Sequence, residues 1–147
     1  MMRTVFLSVL LAGMAAPGLA QASPPVSGID LLKAKAETMK DHDRAKIYSE
    51  IARELTEQAN RLFDAGETEQ GLKSVKQVVE FAEKASTAAK LRNKKTKDTE
   101  ISLRKTARRL EEVERTLPLE ERPPIQAAVE RVDAIRKDLL EYFLKRG

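Results

Sequence analysis

A single histidine, His42, stands between Asp41 and Asp43. An imidazole beside carboxylates is the raw material of metal sites and of acid–base pairs. Neighbouring residues on a helix point about 100° apart, however, so these three side chains do not converge on one ion by themselves. A second element would have to supply ligands, and the chain has no cysteine and no other histidine to offer. The expectation is a solvent-exposed helix junction. Nucleophilic catalysis needs a nucleophile next to a base, and phosphate chemistry needs a glycine-rich cradle. Neither pattern is present, and the many carboxylates alternate with Lys and Arg. The residues therefore assign no catalytic, cofactor-binding or metal site.

The remaining chemistry is electrostatic. Lys90, Arg92, Lys94, Lys95 and Lys97 form a basic run, and Arg104 and Arg108 extend it. Such a run suits an anionic polymer or an anionic lipid surface. Acids interleave with it, and Glu100 stands one helical turn before Arg104, in position for an ion pair. No aromatic residue lies within the run to stack on bases, and the net charge of +4 is mild, which argues against a nucleic-acid partner.

The first 22 residues read as a cleavable signal peptide. Arg3 gives a basic start, Thr4 to Ala16 an apolar stretch, and Pro17-Gly18 a break. Ala20 and Ala22 are the small residues a signal peptidase requires, with Ser23 as the new N-terminus. Removal would lower the net charge by one, because Arg3 is the only charge in that stretch. Residues 23–28, with Pro24-Pro25, read as an extended linker. Residues 29–147 read as one domain. An exported chain with no disulfides must gain its stability by burying apolar surface.

The periodicity predicts an all-α fold, an antiparallel bundle of about four amphipathic helices. The first spans 29–63, with a kink or break near 41–43 and Asp41 capping its second half. Its stripe is Leu32, Ala36, Met39, Ala45, Tyr48, Ala52, Leu55, Ala59 and Leu62. Gly66 closes this helix, and a second spans 67–92. Residues 92–98 carry no apolar side chain and read as a turn, although nothing there strictly breaks a helix. A third helix spans 99–117 and stops at Pro118. The fourth spans 123–145, with Ile125, Val132, Ile135, Leu139 and Phe143 facing in.

The stretch Arg61-Leu62-Phe63-Asp64-Ala65-Gly66-Glu67-Thr68-Glu69-Gln70-Gly71-Leu72 resembles the middle of a tetratricopeptide repeat, with Gly66 closing one helix and Gly71 as the small residue five positions on. The resemblance, confined to the hairpin of about 44–91, implies closely packed helices and a protein-binding role. Gly71 inside a helix sacrifices about 1 kcal/mol of propensity relative to Ala, which a close helix–helix approach would explain. Leu55-Thr56-Glu57-Gln58 is one residue short of the Leu-Thr-x-x-Gln motif of small periplasmic helical stress chaperones; the shared features are export, basic charge and the absence of cysteine.

These observations lead to the expectation of a non-enzymatic, periplasmic or secreted helical protein without cofactor. Its expected partner is another protein or a second copy of itself. The alternatives are a basic-surface binder of anionic envelope polymer or lipid, and a stress-chaperone-like helical protein. Membrane contact is expected only through the leader or through weak peripheral electrostatics.

Overall fold

The computed structural model describes residues 27–91 and 96–146. Among them the chain is all-α, with five α-helices and no strand: α1 Gly28–Thr38, α2 Ala45–Asp64, α3 Thr68–Lys90, α4 Thr96–Arg115 and α5 Arg122–Arg146. None of these helices is long and apolar enough to cross a membrane. The expected leader, with Ala20, Ala22 and Ser23, lies outside the described residues. The expected linker ends sooner than predicted: the Ser27 hydroxyl accepts from the Asp30 amide at 3.1 Å, and Gly28 already belongs to α1. Ser27 is thus a helix cap, which satisfies one of the free amides of the first turn.

The predicted break at 41–43 is a full corner. Asp41–Asp43 form a single 3-10 turn between α1 and α2. Asp41 does not cap α2, whose start has no side-chain cap; its carboxylate instead meets the Arg44 guanidinium at 3.0 Å. Arg44 explains the geometry. Its Nε donates to the Met39 carbonyl at 2.9 Å and its NH2 to the Glu37 carbonyl at 3.2 Å, satisfying the loose end of α1. The corner between α4 and α5 repeats this device. A 3-10 turn at Leu119–Glu121 leads into Arg122, whose Nε donates to Leu117 at 2.8 Å and NH2 to Arg115 at 3.3 Å. In each case an arginine after a three-residue turn reaches back five and seven residues.

The α2–α3 connection is built differently. Gly66 adopts φ 77°, its amide donates to Phe63 at 3.0 Å, and the Glu67 amide donates to Leu62 at 2.8 Å. This is the left-handed closure that glycine permits. The helices it joins pack along their length as an antiparallel hairpin, and so do α4 and α5. The seam between α2 and α3 is rich in small side chains: Ala52, Ala59, Ala82 and Ala85 are fully buried. Gly71 lies against the end of α2, and an added Cβ would stand 2.5 Å from the Phe63 ring.

The two hairpins stack with α2 alongside α4 and α3 alongside α5. Glu57 on α2 meets Arg109 on α4, while Glu83 and Lys90 on α3 meet Arg131 and Asp138 on α5. Sequence numbers rise together along both contacts, so the stacked helices run parallel. The core between the hairpins holds Ile51, Leu55, Val78, Leu103, Leu110, Ile125 and Val132, all buried. Buried Ser49 and Thr56 turn their hydroxyls back onto the Ala45 and Ala52 carbonyls at 2.9 Å, so no polar group is stranded there. Helix α1 covers one side of the first hairpin through Ile29 and Ala36, and Lys33 reaches Gln77 of α3 at 3.1 Å.

Two predicted boundaries move. Thr96, Lys97 and Asp98, expected in a turn, form the first turn of α4. Thr96 is buried, and its hydroxyl donates to the Ala89 carbonyl at 3.4 Å, which ties the start of α4 to the end of α3. Helix α3 ends at Lys90, and Arg92–Lys95 lie outside the described residues. Phe143, expected in the core stripe of α5, is 37% exposed. Leu139 ends the buried stripe, because α5 continues past the end of the helices it packs against.

Candidate interaction surfaces

Among the described residues, the cations singled out in the sequence, Lys90, Lys97, Arg104 and Arg108, do not all converge on one site. Lys90 is half-buried, ion-paired with Asp138, and its ammonium lies 5.6 Å from the centre of the Tyr142 ring. The Tyr142 hydroxyl donates to the Lys90 carbonyl at 3.0 Å, so this lysine is held to α5 by both ends. Lys97 and Arg104 line a cleft between the start of α4 and the end of α5, with Ile101, Leu140 and Phe143 as its apolar wall. Arg108 is exposed farther along α4. Arg92, Lys94 and Lys95 lie outside the described residues.

Glu100 pairs with Arg104 as the spacing predicts, but it is no surface residue. It is 3% exposed and accepts two hydrogen bonds from Arg104, at 3.2 and 2.6 Å, and one from Arg136, at 3.1 Å. Arg136 also binds Asp133 at 2.6 Å, and Lys137 reaches the second Asp133 oxygen at 3.1 Å. Burial pushes the Asp133 carboxyl up, but the hydrogen bonds from Lys137 and Arg136 outweigh it and hold the group below its ordinary value. The result is a chain of alternating charges along the α4–α5 seam. The sequence signal for it is that Glu100 falls in the buried stripe Thr96, Glu100, Leu103, Ala107, Leu110. A carboxylate at such a position has to be paired.

A second charged pair joins the hairpins. Arg109 forks onto both Glu57 oxygens at 2.7 and 3.1 Å and also binds Glu112 at 2.9 Å. These hydrogen bonds keep the Glu57 carboxyl below its ordinary value, against a smaller opposing effect of burial, and raise the Arg109 guanidinium further above its own.

One concave surface was not visible in the sequence. It is a groove of about 600 Å³ between α1 and α3, floored by Tyr48 and Phe81 and edged by Lys33, Lys73, Lys76 and Lys84. Glu37 and Glu80 are its acids. Tyr48 and Phe81 pack as a tilted pair with ring centres 5.8 Å apart. Two lysines lie over the Phe81 ring, Lys84 at 4.7 Å and Lys33 at 5.4 Å, so two ammonium groups are gathered at one place by the ring's negative face. Past Tyr48 and Lys84 the depression continues as a second hollow of about 580 Å³ that ends at Thr87, Ala88 and Leu91. Periodicity marks Tyr48 as a core position; it is half-buried because the short α1 leaves one edge of it open.

His42 sits in the 3-10 turn, with Nε2 3.4 Å from the Asp43 carboxylate. Among the described residues no three His, Asp or Glu side chains gather where they could hold a metal ion.

The fold defines an all-α bundle of two parallel-stacked helical hairpins, with a short helix laid along the first. No family model, curated protein or solved structure matches this chain.

Proposed function

We propose that this is a non-enzymatic interaction module of the cell envelope, exported by the N-terminal leader, which holds a segment of another protein in the groove along α3. The observation that carries the reading is the groove itself, an open trough with an aromatic floor and four lysines at its edge. Aromatic side chains supply much of the energy of protein recognition, and the lysines supply selection by charge. The chemistry fits a segment that lays an apolar side chain on Tyr48 and brings carboxylates to Lys33 and Lys84. The tetratricopeptide-like hairpin is consistent with this role, since the groove lies on the outer side of that hairpin.

The test is site-specific photo-crosslinking in cells. A photoreactive side chain at Lys76 or Thr87, both exposed in or beside the groove, should give one discrete adduct. Charge reversal at Lys73 and Lys84 should abolish it, and the same probe at Arg108 on α4 should not give it. An adduct of equal yield from Arg108, or one indifferent to the charge reversals, would refute the groove as the binding surface.

A further inference from the structure

We propose that a different part of the molecule, the end where α4 begins and α5 finishes, docks on an anionic lipid bilayer. Large apolar side chains are exposed there. Leu144 is 66% exposed, and Phe143, 37% exposed, joins Ile101 and Leu140 along the cleft between the two helices. Cations flank them: Lys97 and Arg104 on the α4 side, exposed Lys145 and Arg146 next to Leu144. Arg146 is folded over the Tyr142 ring at 4.8 Å.

Of the acids of this region, Glu141 is exposed and the others are engaged or turned elsewhere. Glu100 is buried under Arg104 and Arg136, and Asp138 is held by Lys90. Asp98 lines a hollow on the α2 side with Lys46 and Arg53. Glu141 stands one turn before Lys145, in position to pair with it. The apolar residues are thus ringed by cations with few competing carboxylates.

Charge complementarity decides the occupant. Leu and Phe at a helix end, with Lys and Arg beside them and a Tyr just behind, match the layering of a bilayer interface: acyl chains, then anionic headgroups. A soluble anionic polymer would use the cations and leave Leu144 and Phe143 in water. The cleft and the aromatic groove share no lining residue, so this inference stands independently of the function proposed above.

Tryptophan is absent from the chain, so a single introduced Trp reports on one position. Leu144→Trp and, as a control, Leu119→Trp are made in the full chain. Leu119 is 72% exposed and lies at the opposite end of the bundle. Vesicles contain phosphatidylglycerol and phosphatidylcholine, or phosphatidylcholine alone. With the anionic vesicles, emission from Trp at 144 should shift to the blue and be quenched by brominated acyl chains, while Trp at 119 stays water-exposed even if the leader anchors the chain. Each basic residue near such a surface contributes roughly fivefold to partitioning at low salt. Reversing Lys97, Lys145 and Arg146 to Glu should therefore weaken binding at least about 100-fold by the same reasoning, with an unchanged helical circular-dichroism spectrum. Three results would overturn the proposal: no shift at 144, an equal shift at 119, or an equal shift with uncharged vesicles. A concentration-dependent shift at 144 without vesicles would also overturn it, by showing that a second copy covers the patch.

Discussion

Substituting Gly71 by Ala tests the packing of the first hairpin. In an isolated helix the change should stabilise by about 1 kcal/mol. Here the new Cβ would stand 2.5, 2.7 and 2.9 Å from three atoms of the Phe63 ring. Carbon atoms in contact rest at about 3.5–4.0 Å, so the ring or the helix must withdraw by about 1 Å. Phe63 is buried at the end of α2 and belongs to the main core, which leaves the ring little room. Overpacking of this kind costs about 1–3 kcal/mol. The net expectation is a destabilisation of about 1 kcal/mol, or roughly 4 °C in Tm for a domain of this size. The decisive assay is a double-mutant cycle in urea. In a Phe63→Leu background the clash is gone, and Gly71→Ala should stabilise by about 0.5–1 kcal/mol, the helix-propensity gain alone. A stabilising Gly71→Ala in the unmodified chain, or effects that add within about 0.3 kcal/mol, would refute the reasoning.

Other perturbations separate the remaining devices. Gly66→Ala places a Cβ at φ 77° and should cost about 1–2 kcal/mol, read from the urea midpoint. Arg44→Ala and Arg122→Ala should each cost about 1–2 kcal/mol by freeing carbonyls at a helix end; lysine should not rescue either, because its compact ammonium does not reproduce the two separated, coplanar donors Nε and NH2 of the guanidinium. Glu57 and Asp133 titrate below their ordinary values in the folded state. Their contribution is complete above the unfolded carboxyl range and is lost as pH falls through the lowered folded values. Stability should therefore fall from pH 5 toward pH 2, with a shallower slope for Glu57→Gln. Glu100→Gln should cost about 1.5–3 kcal/mol, because two charge-assisted contacts to a buried carboxylate are weakened although Arg136 keeps Asp133, whereas Arg104→Ala should cost under about 1 kcal/mol, because Arg104 faces water. The reverse order by chemical denaturation would show that contact length, not burial, sets the energy.

The fold was legible wherever an apolar stripe ran unbroken. The strongest stripe, Ala45 to Leu62, became α2, and Gly66 closed it as its residue type requires. The corner at 41–43 was visible as a weak point, but its cause was not. Arg44 works through backbone carbonyls five and seven residues earlier, and a periodicity of side chains carries no information about those. Thr96 was read as a turn residue because it is polar, yet its buried hydroxyl binds an α3 carbonyl. Phe143 was read as core because the period reached it, but a period cannot tell where the partner helices end. The groove was illegible for a similar reason. Tyr48, Phe81, Lys33 and Lys84 come from three helices, and only the placement of α1 brings them together.

The charges also explain why the hairpins stack in one register. Within the first hairpin, small residues let the helices approach closely, while Ile51, Leu55, Val78, Leu103, Leu110, Ile125 and Val132 are buried together between the hairpins. Three ion pairs cross between the hairpins: Glu57 with Arg109, Glu83 with Arg131, and Lys90 with Asp138. Each is partly exposed, so its contribution to stability is small. Their value lies in what a slip would do. Sliding the second hairpin by one turn in one direction brings Glu112 or Val113 opposite Glu57, Ala127 or Ala128 opposite Glu83, and Ala134 opposite Lys90. All three pairs are lost, and one becomes a repulsion if Glu112 is the residue that arrives. Sliding the other way offers Lys105 or Thr106 to Glu57 and Glu141 or Tyr142 to Lys90, but leaves Glu83 facing Ala134 or Ile135. Neither direction preserves the set, and both move the apolar layers between the hairpins out of step. Weak pairs that must be satisfied together thus reinforce the register that the Ile, Leu and Val layers between the hairpins set.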